Sequence, residues 1–537
     1  MLKDKRRLVL SVIAGLIFSS FFVCGYHYNH EHTLKLNIWS ILFFILFLII
    51  ISVIFYFFLN YFYKIKTDKN FNIRRWQIFV PLMLLSLFLL FAIYPGKFCY
   101  DILTQYGIYW DGSYTTHYPP AFCFLFGIVV DFGTFIFGNQ NAGLALFHFL
   151  QSLLVVSVIT EILFYVSNKI KSKTFYRVSL FYFILHPLIQ ILMLSSCHDV
   201  IFGAMFAAVV LEVLKISEDD LYFVKKTNWL KIFVFTFLMC IFRNNGFFAL
   251  IPAIFISLLF IKENRIKFFS IFLIPILVYV IGYNTIFLNM IGVKRESIFK
   301  ESLSVPVMQI ARTVYYDYTL TDKNELDKYF NKYCNWRFYN KHQSFADDIK
   351  ACLDGDAVEN DLLGFVSLWA KTGLKAPNLY FEAAGMLSLG LYYPWTNYPE
   401  DSYNHSITYH AYEEYYMRPA DGRAKEFNYV RITGEPNIPV LDDFLGDFIW
   451  KKQSWSHIPV LRFIWCGAFS TFMFIITTLF AIYRRQKKYL IPLAFIFGML
   501  LTVFLSPVII FRYVFPIAIT FPIMLYIIVR CVNEKNR

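Results

Sequence analysis

The chain has 537 residues, 16% of them charged and 20% aromatic, with 62 Phe. This excludes a string of soluble domains, which carry roughly 25% charged residues, and a disordered chain, which is poor in aromatics. The net charge of +13 is uneven: residues 289–457 hold 18 Lys/Arg against 23 Asp/Glu, so the positive excess lies between apolar runs, as in multi-pass membrane proteins, and no nucleic-acid groove is indicated.

The first apolar run, 8–24, follows Lys3, Lys5, Arg6 and Arg7. No small-x-small cleavage site comes after it, and Val23 precedes Cys24 where a lipoprotein signal has a small residue, so it reads as an uncleaved first helix. Further apolar spans are read at 38–62, 77–94, 141–166, 178–194, 200–214, 229–243, 246–261, 268–288, 458–482, 489–505 and 507–530. One more stretch, 120–137, is decided by loop charge. If it does not cross, loops 1–7, 64–75, 167–177, 215–231, 262–267, 484–488 and 530–537 share one side and carry 4, 5, 4, 4, 3, 4 and 3 Lys/Arg. The short loops opposite then carry only Lys35 and Lys97. If it crosses, the Lys-rich loop 167–177 moves outside and the asymmetry is lost.

The expectation is therefore an all-α polytopic membrane protein with about twelve transmembrane helices and both termini cytoplasmic. It divides into an N-terminal transmembrane module (1–288), a mixed, mainly helical extracytoplasmic region (289–457) and C-terminal transmembrane helices (458–537). The stretch 120–137, which contains Asp131, is expected to lie on the outer interface. No internal repeat is found, which argues against a transporter built from repeats. The nine Cys include no C-x-x-C pair. Cys334 and Cys352 can pair if both face an oxidising exterior; the odd count and scattered spacing otherwise point to free, mostly buried thiols.

Ionisable residues at the membrane edge need reasons. Asp101 follows Tyr94-Pro95-Gly96 and stands one helical turn before Gln105, in a loop (95–119) that closes with His117-Tyr118-Pro119-Pro120. It reads either as a carboxylate held just above the membrane or as a solvated loop residue. His198-Asp199 occupies a second outward turn, where Asp199 can also serve as a helix cap. Arg243-Asn244-Asn245-Gly246 is a third outward turn, and Arg512-Tyr513 lies at the outer end of the last span. Both arginines can snorkel to headgroups or bind a phosphate. A base candidate and two arginines at one depth suggest group transfer from a lipid phosphate.

In the outer region, 322–333 and 360–375 read as amphipathic helices, and 377–393 as a helix lying on the membrane with Pro377 at its start. Residues 392–416 contain eight Tyr and Trp395. Tyr393, Trp395 and Tyr398 are candidates for stacking on an acceptor sugar, although such rings also belt membrane interfaces. His405, His410, Glu413 and Glu414 can hold a divalent cation, but no spacing requires one.

The series Tyr94-Pro95-Gly96, Asp101, Gln105 and His117-x-Pro119 is similar to the first outer loop of GT-C-type membrane glycosyltransferases. It more closely resembles an uncharacterised bacterial family of polytopic proteins thought to share that fold. The same resemblance extends to His198-Asp199, to Arg243-Asn244-x-Gly246, to Leu303, Ser304, Pro306, Gln309, Ala311 and Arg312, and to Arg512-Tyr513-x-x-Pro516. The matches run in one order from about residue 90 to 520. His198 stands where that family commonly has Lys.

The resemblance implies a polyprenyl-phosphate-linked sugar as donor and Asp101 as general base. His117 would orient Asp101 or the acceptor. His198, Arg243 and Arg512 would hold the donor phosphate, with Gln105, Asp199, Asn244 and Tyr513 in support. The expected activity is inverting transfer to a cell-envelope polysaccharide, teichoic acid or glycoprotein at the outer face of the plasma membrane. No cofactor is assigned, and a divalent cation is left open. The alternative is a flippase or transporter of lipid-linked glycans.

Overall fold

A computed structural model describes residues 2–61, 67–99, 101–219, 221–297, 299–337, 339, 344–396, 409–410, 436–450 and 454–533. Long runs of Leu, Ile and Phe form helices, the structure that satisfies its own backbone in lipid. In chain order the first part comprises α1 (Leu2–Glu31), α2 (Ile38–Tyr61), α3 (Arg75–Ala92), β1 (Lys97–Cys99), α4 (Ile102–Asp111), α5 (Pro120–Phe137) and α6 (Gln140–Ile170). Then come α7 (Lys173–Leu185), α8 (Pro187–Met193), β2 (Ser195–Ser196), α9 (His198–Glu218), α10 (Lys226–Phe242), α11 (Asn245–Phe260) and α12 (Arg265–Leu277).

Among the described residues, eight helices are long and apolar enough to cross a membrane, or up to eleven if each of three bent pairs counts as one span. The apolar runs 178–194, 458–482 and 507–530, expected as straight crossings, are these bent pairs. α7 and α8 meet at 62°, Pro459–Trp465 and Gly467–Tyr483 at 69°, and Phe511–Ala518 and Phe521–Asn533 at 43°. The first break follows from Pro187, which forces His186 out of the helical region. The expected spans 229–243 and 246–261 become α10 and α11, of 17 and 16 residues.

α9 is the hub of the bundle. Its most apolar window is 89% buried by protein, against 6% for α2, whose outer surface is left for lipid. Small residues make this possible. A Cβ on Gly203 would stand 2.6 Å from the Phe515 ring, so Gly203 lets Phe511–Ala518 close onto α9. That approach brings the start of the last bent pair to the start of α9.

α5 has the length and apolarity to cross, and it packs against α6. Phe122 meets Phe147 and His198, Phe126 also meets Phe147, and Gly133 meets Gly143. From residue 122 to 133 the helix covers about 16 Å, whereas its partners on α6 span only about 6 Å. α5 therefore crosses the first part of α6 obliquely. Its Asp131 accepts hydrogen bonds from Tyr106 and Tyr109 on α4, at 3.0 and 2.9 Å.

The all-helical expectation misses a small mixed sheet. β1 pairs in parallel with β2 and antiparallel with β3 (Tyr409–His410), in the order β2–β1–β3. It joins two turns nearly 100 residues apart in sequence.

The region 289–457, expected from the sequence to be the outer region, has its own core among its described residues, centred on the helix Ser304–Tyr316. The expected amphipathic helices are present as Lys323–Tyr329 and Leu362–Lys375. The stretch expected to lie on the membrane forms the helix Pro377–Leu387, packed between this core and α1: Tyr28 of α1 abuts Gly385. Cys334 and Cys352 form a disulfide, and the other seven Cys are free. Arg312 is fully buried and bonds Glu382 Oε2 through Nε (3.1 Å) and Nη2, Tyr339 Oη (3.2 Å) and the His32 carbonyl (3.0 Å). Glu382 Oε1 accepts from Thr33 Oγ1 and the Leu34 N–H at 2.9 and 2.8 Å. Burial disfavours the guanidinium, but Tyr339 and Glu382 more than compensate and hold its pKa above the ordinary value. This pair ties the outer region to the α1–α2 turn. Arg312→Met is expected to cost about 3–5 kcal/mol by leaving a buried carboxylate unpaired, and Arg312→Met/Glu382→Met to recover most of it in detergent unfolding. Equal losses in the single and double variants would contradict this.

Candidate functional site

The site begins at the end of α3. Gly96 has φ +107°, and a Cβ there would meet His148 Nδ1 at 2.0 Å, so the position requires glycine. His148 Nδ1 lies 2.8 Å from the Pro95 carbonyl and Nε2 lies 2.9 Å from Ser196 Oγ. A carbonyl only accepts, so Nδ1 carries the proton and Nε2 accepts from Ser196. Gln151, one turn along α6, donates to the Met193 and Ser195 carbonyls at 3.0 and 2.7 Å. These two buried side chains fix β1 against β2. Lys97 forms a 2.7 Å ion pair with Asp442, which brings the helix Pro439–Leu445 onto the same loop. Lys97 was one of two lysines on the sparsely charged side of the bundle, and its burial against a carboxylate explains the exception.

This frame brings Asp101, Asp199, Arg243 and Arg512 together. Arg512 Nη1 donates to Asp101 Oδ2 at 3.1 Å, and Arg512 Nε lies 3.2 Å from Asp199 Oδ2. Arg243 Nη1 donates to Asp199 Oδ1. The charges therefore alternate along Asp101–Arg512–Asp199–Arg243. Tyr513 lies between the arginines, with guanidinium carbons 4.7 Å (Arg243) and 5.0 Å (Arg512) from its ring centre, and its hydroxyl accepts from Arg512 Nη2 at 3.1 Å. Gln105 Nε2 donates to His198 Nδ1 at 3.1 Å, and His198 Nε2 lies 3.7 Å from Asp199 Oδ1. The two carboxylates differ in access: the Asp199 side chain is 0% exposed and the Asp101 side chain 18%.

The sequence offered Arg243 and Arg512 either as snorkelling to headgroups or as cations open to a phosphate. Each instead has an internal carboxylate partner, and the four groups sum to zero charge. Both expected supports, Gln105 and Tyr513, are in the network. Asn244 stands beside it, donating to the Thr116 carbonyl at 3.0 Å and accepting from Tyr279 Oη at 3.4 Å. His117 lies 3.7 Å from Glu296 Oε2, and the Glu296 N–H donates to Thr116 Oγ1 at 2.9 Å. The start of the outer region thus holds the loop carrying His117. Tyr393 is buried against Gly25, and Trp395 packs on Phe22, so both belong to the contact with α1. Tyr398, His405, Glu413, Glu414 and the side chain of His410 lie outside the described residues. Arg312 is the structural tie already described. Among the described residues, no group of three or more His, Cys, Asp or Glu is arranged to hold a metal ion.

Two site residues escaped the sequence reading. Cys99 Sγ accepts from Arg512 Nη1 at 2.8 Å, and Cys197 Sγ lies 3.6 Å from Asp199 Oδ2. Burial pushes the Cys99 thiol up, but the hydrogen bond with Cys197 and the Arg512 guanidinium outweigh it and bring it down to about 7. Buried cysteines in apolar sequence look like core, so only the position next to Asp101 and His198 marked them.

The network predicts unequal costs. Asp199→Asn strips the shared carboxylate from two buried guanidiniums and is expected to lower stability by about 3–5 kcal/mol. Asp101→Asn, at the open end, is expected to cost about 1 kcal/mol. Thermal unfolding in detergent measures both, and equal losses would contradict the assigned order.

Comparison with protein families matches residues 111–537, about four-fifths of the chain, to a family of unknown function, DUF6020. The match includes Asp199, Arg243 and Arg512 and begins after Asp101. No curated protein and no solved structure matches the chain. The chain belongs to the DUF6020 family.

Proposed function

We propose that the protein is a membrane glycosyltransferase of GT-C type, moving a sugar from a polyprenyl-phosphate donor to a cell-envelope acceptor at the outer face of the plasma membrane. The observation that carries this reading is the carboxylate of Asp101. Arg512 holds its Oδ2, its Oδ1 has no partner among the described residues, and a second arginine stands behind the first. Asp101 would take the proton of an acceptor hydroxyl as that oxygen attacks the anomeric carbon. The bond from that carbon to the phosphate oxygen breaks, and the electron pair leaves with the lipid phosphate. Backside displacement inverts the configuration.

The charge developing on the departing phosphate would fall to the N–H groups of Arg243 and Arg512 that their carboxylates leave available, with His198 beside them. Because the network is neutral, donor binding has to compete with Asp199 and Asp101 for those groups. Asp199 then acts as a spacer, fixing the two guanidiniums before the donor arrives. Outward orientation is supported by the loop charges and by the Cys334–Cys352 disulfide, which suits an oxidising compartment. A polysaccharide, teichoic acid or glycoprotein suits such a site as acceptor. Transport of lipid-linked glycans would call for polar groups along the depth of the bundle, whereas this network is gathered around the outer turns.

Protein in vesicles, offered a panel of polyprenyl-phosphate sugars with mixed envelope acceptors, is expected to release polyprenyl phosphate. Asp101→Asn should lower that rate by about 10²-fold or more, the scale of general-base catalysis, with protein level unchanged. Arg243→Ala should raise the apparent KM for donor more than that for acceptor. Full activity of Asp101→Asn would remove the base assignment, and an unchanged donor KM would remove Arg243 from the phosphate site.

A further inference from the structure

A second constellation lies at the turn of the α1–α2 hairpin, apart from the charged network. Ser40 Oγ on α2 is 2.7 Å from His27 Nε2 on α1, and His27 Nδ1 is 2.9 Å from Glu31 Oε2. The carboxylate only accepts, so Nδ1 carries the ring proton and Nε2 is the basic nitrogen facing the serine hydroxyl. The order is nucleophile, base and orienting carboxylate.

Helix capping accounts for only part of this. Asn37 Oδ1 accepts the Ser40 N–H at 2.9 Å, and the Asn37 N–H reaches back to the Ser40 hydroxyl at 3.5 Å, so the hydroxyl shares in the cap of α2. The hydroxyl can donate to the same oxygen at 3.1 Å, but its shorter contact, 2.7 Å, is with His27 Nε2. Capping also requires neither a histidine on the other helix nor a carboxylate one turn beyond it. The backbone N–H groups of Ile38 and Trp39 belong to the first turn of α2 and lack intrahelical acceptors. They have no partner among the described residues, and donors of this kind can stabilise an oxyanion beside Ser40. His27 and Ser40 are buried, and Leu36, Ile38 and Trp39 around them are exposed apolar residues that lipid would cover.

We propose that Ser40, His27 and Glu31 form an acyl-transfer site that takes an ester of a membrane lipid. Ser40 Oγ attacks the ester carbonyl while His27 takes the hydroxyl proton. The tetrahedral adduct collapses, the C–O bond to the alcohol breaks, and His27 returns the proton to the departing alcohol. Water or an acceptor hydroxyl, deprotonated by His27, then releases the acyl group and restores Ser40. Glu31 is a positioning residue that holds the imidazole in the required tautomer. The proposal does not depend on the glycosyl-transfer reading.

The test is covalent labelling of the full-length protein in detergent micelles by a long-chain alkyl fluorophosphonate, read by peptide mass spectrometry. One alkylphosphonyl adduct on Ser40 is expected. The labelling rate should fall about 100-fold in His27→Gln, and about tenfold in Glu31→Gln, within the range for positioned general bases. Glu31 is substantially exposed, so Glu31→Gln decides the matter even if His27→Gln fails to fold. Ester-linked phosphatidylglycerol should slow labelling more than its ether-linked analogue. Absence of a Ser40 adduct, an unchanged rate in Glu31→Gln, or equal protection by ester and ether lipids would overturn the proposal.

Discussion

Two arginines and two aspartates, alternating in a largely buried row, set the architecture at one end of this protein. Charges in such surroundings persist only when paired, because desolvation of a lone ion costs several kcal/mol. Asp199, fully enclosed at the start of α9, receives Arg243 from the end of α10 and Arg512 from the last bent pair. Arg512 in turn reaches back to Asp101 in the first outer loop. Four parts of the chain, from 44 to 411 residues apart in the bonded pairs, are thereby brought to one point. The geometry further depends on Gly203, whose missing side chain admits Phe515, and on His148 and Gln151, which hold the two short strands together.

The same row explains how a site built from strong charges can remain preorganised. Free guanidiniums at a membrane surface would swing towards lipid headgroups. Here each is held by a carboxylate and packed against Tyr513. On the proposed reading, fixed dipoles and charges meet the departing phosphate without reorganising at that moment. The accessible Asp101 remains at the end of the row, where an acceptor hydroxyl can approach.

Much of the helical frame was legible because lipid imposes a simple rule: long apolar segments form helices, and Lys and Arg mark their cytoplasmic ends. Loop charge led to the reading of 120–137 as an interfacial helix, whereas its length and apolarity also suit a crossing. The breaks at His186 and Cys466 were not legible, since hydropathy averages over a bend. The small sheet was hidden because strands of two or three residues have no periodicity to detect. Cys334–Cys352 was left open because spacing alone does not pair thiols. In the site, Asp101, Asp199, Arg243 and Arg512 were conspicuous as charges at membrane edges. The internal pairing of the arginines was not, because ion pairing across elements depends on tertiary approach. Tyr393 and Trp395 were candidates for sugar contact or for a membrane-interface belt on composition, and both rings pack against α1.

The central claim is displacement at an anomeric carbon by an acceptor that a single carboxylate activates. The most direct measurement is the anomeric configuration of the product relative to the donor, by NMR, in a single turnover of purified protein in vesicles. The account predicts inversion, with one polyprenyl phosphate released per sugar transferred. Retained configuration, or movement of intact donor between leaflets without cleavage, would contradict it.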